Sequence, residues 1–98
     1  MELDFTFRNL ESTEAIKTWA VKRFQKVVKH LREPASAHLV LTVDRHRHRA
    51  ELTVHSASDV LRAADESDDM YASMDAVMAR VAESAHRAKE RQNRSWQL

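Results

Sequence analysis

The spacing of apolar residues along this chain switches between a two-residue period and a helical period, and that order restricts it to a mixed fold. Residues 2–8 alternate polar with apolar side chains, which predicts a first strand with one buried face. From Thr13, a residue type favoured as a helix N-cap, apolar residues recur at helical spacing. The chain's one proline, Pro34, disfavours helix at the residue before it, so the first helix is predicted to end before Pro34.

Alternation returns in the next part of the chain. Residues 37–43 and 49–55 each place apolar side chains at every second position, so they are predicted as the second and third strands. The charged residues 44–48 between them are typical of a solvent-exposed hairpin tip. Residues 60–65 predict a shorter fourth strand.

A second helix is predicted from Ser67 as its cap, with Asp68 and Asp69 in the first turn, where acids complement the helix dipole. Its apolar spacing continues to about Arg91. The order β-α-β-β-β-α predicts an α+β fold: a four-stranded, mostly antiparallel sheet with both helices on one face. Residues 1–92 are expected to form this single domain and residues 93–98 a short polar tail.

Composition excludes several classes of protein. A chain of 98 residues is long enough for one core. It contains no glycine, which argues against glycine-rich phosphate loops and dinucleotide-binding turns, and no cysteine, which removes disulfides and thiolate chemistry. No residue set supplies a nucleophile with its base or cradles a cofactor, so we expect neither an enzyme nor a cofactor. No signal sequence or membrane span is recognisable, and the cytosol is the expected location.

The net charge of +1 conceals a strong segregation of charge. Residues 59–75 contain six acids and one arginine, whereas residues 15–32 contain six Lys or Arg and no acid. On a helical projection Lys22, Lys26 and Lys29 form a row opposite the apolar stripe, which we call the lysine ridge. Arg23 flanks the ridge, and Trp19 lies at the edge of the apolar stripe, where it could contact a base or cover the core. Such a row predicts binding to a phosphate backbone.

The second helix carries a sparser basic row. Arg80, Arg87, Arg91 and Arg94 fall within about 60° of one another, away from the methionines. Glu83 precedes Arg87 by four residues and Glu90 precedes Arg94 by four, which favours ion pairs within the helix. A solvated helix face therefore explains this row as well as binding does.

Other patterns favour structural interpretations. On a strand His46 and His48 would point the same way and, with His38 or His55, could ligate a metal, but a basic hairpin tip is favoured. The methionines at 70, 74 and 78 are predicted to fill the core. The acids at 69 and 75 beside Tyr71 are interpreted as caps. Trp96 either docks on the body or stacks on RNA.

Residues 61–77 read LRAADESDDMYASMDAV, and this segment resembles the signature of the ribosome hibernation-promoting factor family, also called sigma-54 modulation proteins. The resemblance extends to the opening strand, to the start of the first helix at residues 13–16 and to residues 50–55. It implies a fold similar to a double-stranded-RNA-binding domain. It also implies docking in the small ribosomal subunit where messenger and transfer RNA would sit, which silences the ribosome.

By position, the resemblance implies rRNA-binding roles for basic residues on both helices, to which the ridge itself adds Lys22 and Lys29. The residues carried over are Arg23, Lys26, Arg80, Arg87, Lys89 and Arg91. Glu83 stands where an arginine is common and Ala85 where a leucine is common, which weakens the expectation for the second helix. The chain ends soon after that helix, as in the short form of the family, which cooperates with a separate small factor to pair ribosomes. We expect a monomer off the ribosome.

A protein-interaction module is the alternative, binding an acidic partner or pairing through a sheet edge. The open sheet face would then be lined by Val40, Thr42, Thr53 and Ala64. These side chains are small and mildly polar, which argues weakly against a large apolar interface.

Overall fold

A computed structural model describes residues 2–31, 34, 36–56 and 59–95, apart from the side chains of residues 89 and 91–95. It confirms the predicted order of strands and helices. The elements are β1 (Leu3–Arg8), α1 (Glu14–Val28), β2 (Ser36–Asp44), β3 (Arg47–His55), β4 (Val60–Ser67) and α2 (Met70–Ser95). Trp96 lies outside the described residues.

The four strands form one sheet in the order β1-β2-β3-β4. β1 and β2 are parallel because α1 crosses over between them, whereas β2, β3 and β4 follow one another as antiparallel neighbours. The register places Phe5 beside Leu39, Leu39 beside Leu52, and Leu52 beside Ala63. The apolar alternation of all four strands therefore faces the same side.

Both helices cover that side and enclose the core. The side chains of Leu39, Leu41 and Leu52 are fully buried, as are those of Met74 and Val77 on α2. The prediction that the methionines fill the core is confirmed, since Met70, Met74 and Met78 all belong to the buried cluster. The opposite side of the sheet, which we call the open face, carries no helix of the described chain.

The start of α2 differs from the prediction. Ser67 does not cap the helix but is the last residue of β4, where it pairs with His48 of β3. Asp69 is the cap: its Oδ1 accepts a hydrogen bond from the backbone N–H of Tyr71 at 3.3 Å, and its carbonyl accepts one from that of Ser73 at 3.1 Å. No acidic residue lies in the first turn. Ser67 instead donates from Oγ to the carbonyl of Asp69, at 2.7 Å.

The hairpin between β2 and β3 is tighter than predicted. Both strands continue to a two-residue turn at Arg45 and His46, with Arg45 at φ 58°. This left-handed conformation favours glycine, which the chain lacks. His48 is half-buried on the helix-facing side of β3, but His46 lies in the turn and not on a strand, so the strand alternation that would align the two rings does not apply. The described residues contain no cluster of three side chains able to hold a metal ion.

The two helices differ in length and ending. α1 begins after Thr13, whose hydroxyl accepts from the backbone N–H of Ile16 at 3.2 Å and so acts as the predicted cap. α2 continues to Ser95, beyond Arg91 where its apolar spacing ends. None of the described helices is long and apolar enough to cross a membrane.

Candidate nucleic-acid interface

The interface candidate is built on the line where α1 and α2 touch, which we call the interhelical seam. Trp19 contacts Tyr71 edge-on with ring centroids 5.3 Å apart, and His30 lies similarly against His86 at 6.5 Å. Between these two contacts, Arg23 of α1 pairs with an acid of α2. Residues later in the first helical segment contact residues later in α2, as the pairs 19 with 71, 23 with 75 and 30 with 86 show. The two helices therefore run in the same direction. Their solvent-exposed sides therefore form one continuous surface.

The lysine ridge lies on this surface. Lys22, Lys26 and Lys29 are all exposed, and none of them forms an ion pair with a described carboxylate. From Lys22 to Lys29 the ridge extends roughly 10 Å along the helix axis at 1.5 Å per residue. The structure thus brings together the three lysines that the helical projection had aligned.

The side chain of Arg23 contacts two other side chains of the protein. Its Nε and Nη2 both approach Oδ1 of Asp75, at 2.8 and 2.7 Å, and its guanidinium lies over the ring of Trp19 with Cζ 5.4 Å from the centroid. The side chains of Arg23 and Asp75 remain about half exposed, at 42% and 52%. Asp75 was predicted to cap α2, and that is wrong: it binds α1 to α2 from the second turn of the helix.

The predicted cations of α2 are less available than those of α1. Arg80 donates from Nη1 to the carbonyl of Ala64 at 2.6 Å and from Nη2 to Asp65 at 3.2 Å, which ties it to β4. Arg87 pairs with Glu83, as the spacing predicted. Lys89 and Arg91 lie on the helix backbone, but their side chains fall outside the described part of the structure.

The other predicted ion pair of α2 has a different partner. Glu90 pairs with His86 at 3.1 Å, and the side chain of Arg94 is outside the described residues. Among the described arginines of α2, Arg80 and Arg87 therefore have their charges compensated by Asp65 and Glu83.

The open face carries ion pairs too. Arg47 pairs with Glu66 at 3.3 Å and Arg49 with Glu51 at 2.7 Å. The hydrogen bond to Glu51, followed by the attraction between the two charges, raises the pKa of Arg49. Charges of both signs thus stand together on this side, among the small side chains of the strands. The positions predicted to line it do so: Val40, Thr42, Thr53 and Ala64.

These contacts show which of the described cations have acidic partners, of which the sequence had predicted the pair of Arg87 with Glu83. Five arginines are paired with acids, whereas the ridge lysines have no described acidic partner. The paired arginines are Arg23, Arg47, Arg49, Arg80 and Arg87. Three of the acids come from the acidic stretch 59–75, so folding places much of that negative charge against arginines. Apart from Lys17, which lies over the ring of Phe7, the uncompensated positive charge among the described side chains of the helices lies on the ridge.

Comparison with known proteins gives a consistent result. Residues 3–93 match the model of the family described as "Sigma 54 modulation protein / S30EA ribosomal protein". A "Ribosome hibernation promoting factor" of Salmonella typhimurium is 29% identical over 91 residues, which cover 93% of this chain and 96% of the relative. The protein of that name from Escherichia coli is 28% identical, with the same coverage.

Solved structures agree with the fold. The N-terminal domain of Protein Y from Thermus thermophilus matches with a TM-score of 0.80 at 26% identity, covering 89% of this chain and 98% of that domain. A "ribosomal subunit interface protein" from Coxiella burnetii matches with a TM-score of 0.81, covering 92% of this chain and 99% of that protein. The second likeness, at 18% identity, concerns the fold alone.

Proposed function

This chain belongs to the sigma 54 modulation protein / S30EA ribosomal protein family, and on that premise we propose that it is a hibernation factor that binds rRNA of the small ribosomal subunit and inhibits translation. Its place is the channel that messenger and transfer RNA would otherwise occupy. The ribosome is cytoplasmic, and so is the factor. The chain is not an enzyme, because proteins of this family act by binding.

The observation that carries the proposal is the lysine ridge, exposed and without described acidic partners. Each lysine that neutralises a phosphate releases condensed counterions, which gives strong binding that depends on salt and tolerates sequence variation. α1 is anchored in the core, since Ala20, Phe24 and Val27 are buried in the same cluster as Leu39 and Met74. The backbone positions of the three cations are therefore set before binding, and only their side chains have to be ordered when they meet phosphates.

Inhibition then requires no chemistry. A folded body held in the channel excludes messenger and transfer RNA by its volume and competes for the same phosphates. The proposed rRNA-contacting residues are unequal in their contributions. The lysine ridge contributes most of the binding to phosphate. The paired arginines contribute where a phosphate replaces their carboxylate partner. This exchange costs little, because exposed ion pairs stabilise by about 0–1 kcal/mol. The proposed set is Lys22, Arg23, Lys26, Lys29, Arg80, Arg87, Lys89 and Arg91.

The proposed partners are the small subunit and, through it, the whole ribosome. The chain is monomeric off the ribosome, and a separate dimerising factor acts with it where inactive ribosomes are paired.

Sedimentation with purified ribosomes tests the proposal. The wild-type chain is expected to comigrate with small subunits and whole ribosomes at about 50 mM salt. If about six phosphates are neutralised, affinity falls about 10³-fold by 200 mM. Failure to comigrate at the lower salt would contradict the proposal. Comigration that survives nuclease digestion of the rRNA would instead favour binding to an acidic protein.

A matched pair of variants tests the ridge itself. The double variant Lys22→Glu with Lys26→Glu is expected to abolish comigration with ribosomes. Adding Lys29→Glu reverses the charge of the whole lysine ridge. Arg8→Glu with Arg62→Glu makes the same change in charge at exposed residues of the open face and is expected to bind as the wild type does. Thermal unfolding should change little in either variant. Equal losses of binding in both would show that net charge, rather than the ridge, decides.

A further inference from the structure

The indole of Trp19 contacts two side chains at the interhelical seam, one from each helix. It is half-buried, the ring of Tyr71 meets it at 79°, and the guanidinium of Arg23 lies over it. Arg23 is in turn held by Asp75. Groups from both helices therefore hold a flat aromatic and cationic pair in a defined orientation at the protein surface.

An open groove of about 240 Å³ adjoins this pair, lined by Trp19, Lys22, Arg23 and Lys26. The indole and the guanidinium are flat groups, and the lysines that line the groove with them are the exposed cations of the ridge. No described carboxylate pairs with either lysine. A flat polarizable wall with cations beside it complements a ligand that combines a planar ring with a nearby anion.

We propose that this groove receives one unpaired nucleobase of rRNA, stacked against Trp19 and Arg23, with its flanking phosphates at Lys22 and Lys26. The proposal rests on the proposed function and deepens it, because phosphate contacts alone make no distinction between paired and unpaired RNA. Bases stack on aromatic rings and on guanidinium planes only where they are free of the duplex. The chain therefore prefers loops and bulges to continuous helix.

Fluorescence of Trp19 provides the test. The chain has two tryptophans, so Trp96→Phe leaves Trp19 as the sole reporter. The two probes are a synthetic blunt-ended RNA duplex with one bulged adenosine and the same duplex without the bulge. The bulged RNA is expected to quench Trp19 emission and the other RNA to leave it nearly unchanged. Equal emission with the two RNAs at saturation would overturn the proposal.

Affinities measured by anisotropy of labelled RNA give an independent readout. Base–aromatic stacking is worth about a 5- to 150-fold change in affinity, so Trp19→Leu should weaken binding of the bulged RNA by about tenfold or more. Trp19→Phe should retain most of the affinity. The Trp19→Leu variant should bind the unbulged RNA as the wild type does, and a loss of the same size for both RNAs would refute the stacking role.

Two controls separate the possible failures. Val28→Ala removes methyl groups from a half-buried residue of α1 that does not line the groove. It is the control for any loss of stability caused by Trp19→Leu, because it leaves the proposed binding site unchanged. The ridge variant Lys22→Glu with Lys26→Glu should weaken both RNAs alike. If that variant binds both RNAs normally, the proposed function fails. If it weakens both while Trp19 does not respond to the bulge, only the stacking proposal fails.

Discussion

Replacing Asp75 with asparagine is expected to lower the stability of the protein and raise its affinity for RNA, two opposite effects of one neutralised charge. Asp75 pairs with Arg23 at 2.7 Å, and Arg23 lies beside the lysine ridge on α1. The side chain of Asp75 is half exposed, at 52%, so its negative charge acts on the surface proposed to meet phosphates. The asparagine amide oxygen still accepts a hydrogen bond from Arg23 but does not hold its charge.

The magnitude of each effect follows from the geometry. A half-exposed ion pair contributes about 0.2–1 kcal/mol, so the melting temperature should fall by about 1–8 °C. A carboxylate roughly 10 Å from a phosphate repels it by about 0.4 kcal/mol in water, before screening by salt. Release of Arg23 to one more phosphate steepens the dependence of log affinity on log salt by about 0.9. Together these predict about two- to fivefold tighter binding at 0.1 M salt.

The assay is anisotropy of a labelled RNA duplex without a bulge, in which no base can stack on Arg23, over a salt titration, with thermal unfolding measured in parallel. Glu51→Gln is the matched control, because it neutralises an acid whose side chain is 46% exposed and which is paired with Arg49 on the open face. It makes the same change in net charge and should leave both affinity and salt slope close to wild type. Weaker binding by Asp75→Asn, or an equal gain in both variants, would refute the idea that Asp75 restrains the interface.

Two substitutions test the packing of the body. Arg45→Gly should stabilise the protein by roughly 0.5–1 kcal/mol in thermal unfolding, because a side chain at φ 58° is disfavoured there, whereas Arg45→Ala keeps Cβ and should bring no comparable gain. Ser73 is fully buried and donates to the carbonyl of His48 at 2.8 Å, so Ser73→Ala should destabilise by about 1–3 kcal/mol; an unchanged melting temperature would show that this bond contributes nothing.

The sequence was sufficient to predict the order of elements and the buried faces. Leu39, Leu41 and Leu52 alternate so regularly that only one face of each strand could enter the core. It was less informative where polar residues extend an element. β4 continues through Glu66 and Ser67 because they pair with Arg49 and His48 of β3. Both residues are polar, so this end of the strand shows no apolar alternation in the sequence.

The candidate site was predictable only in part, because local spacing shows which cations align on one helix but not which of them meet acids elsewhere. The ridge lysines follow from the helical period alone. The pairing of Arg23 with Asp75 joins residues 52 positions apart, and that of Arg80 with Asp65 joins residues 15 apart. Both depend on how the helices and the sheet pack. The one pair of α2 that the sequence predicted and the structure describes, Arg87 with Glu83, lies four residues apart on the same helix.

In the proposed complex with the ribosome, α1 presents its lysine ridge to rRNA. The most direct test is electron cryomicroscopy of small ribosomal subunits mixed with the wild-type chain. Density for the protein is expected in the channel of messenger and transfer RNA, with Lys22, Lys26 and Lys29 against the phosphate backbone and the open face turned away from those phosphates. Density elsewhere on the subunit, or an orientation in which α1 faces solvent, would contradict it.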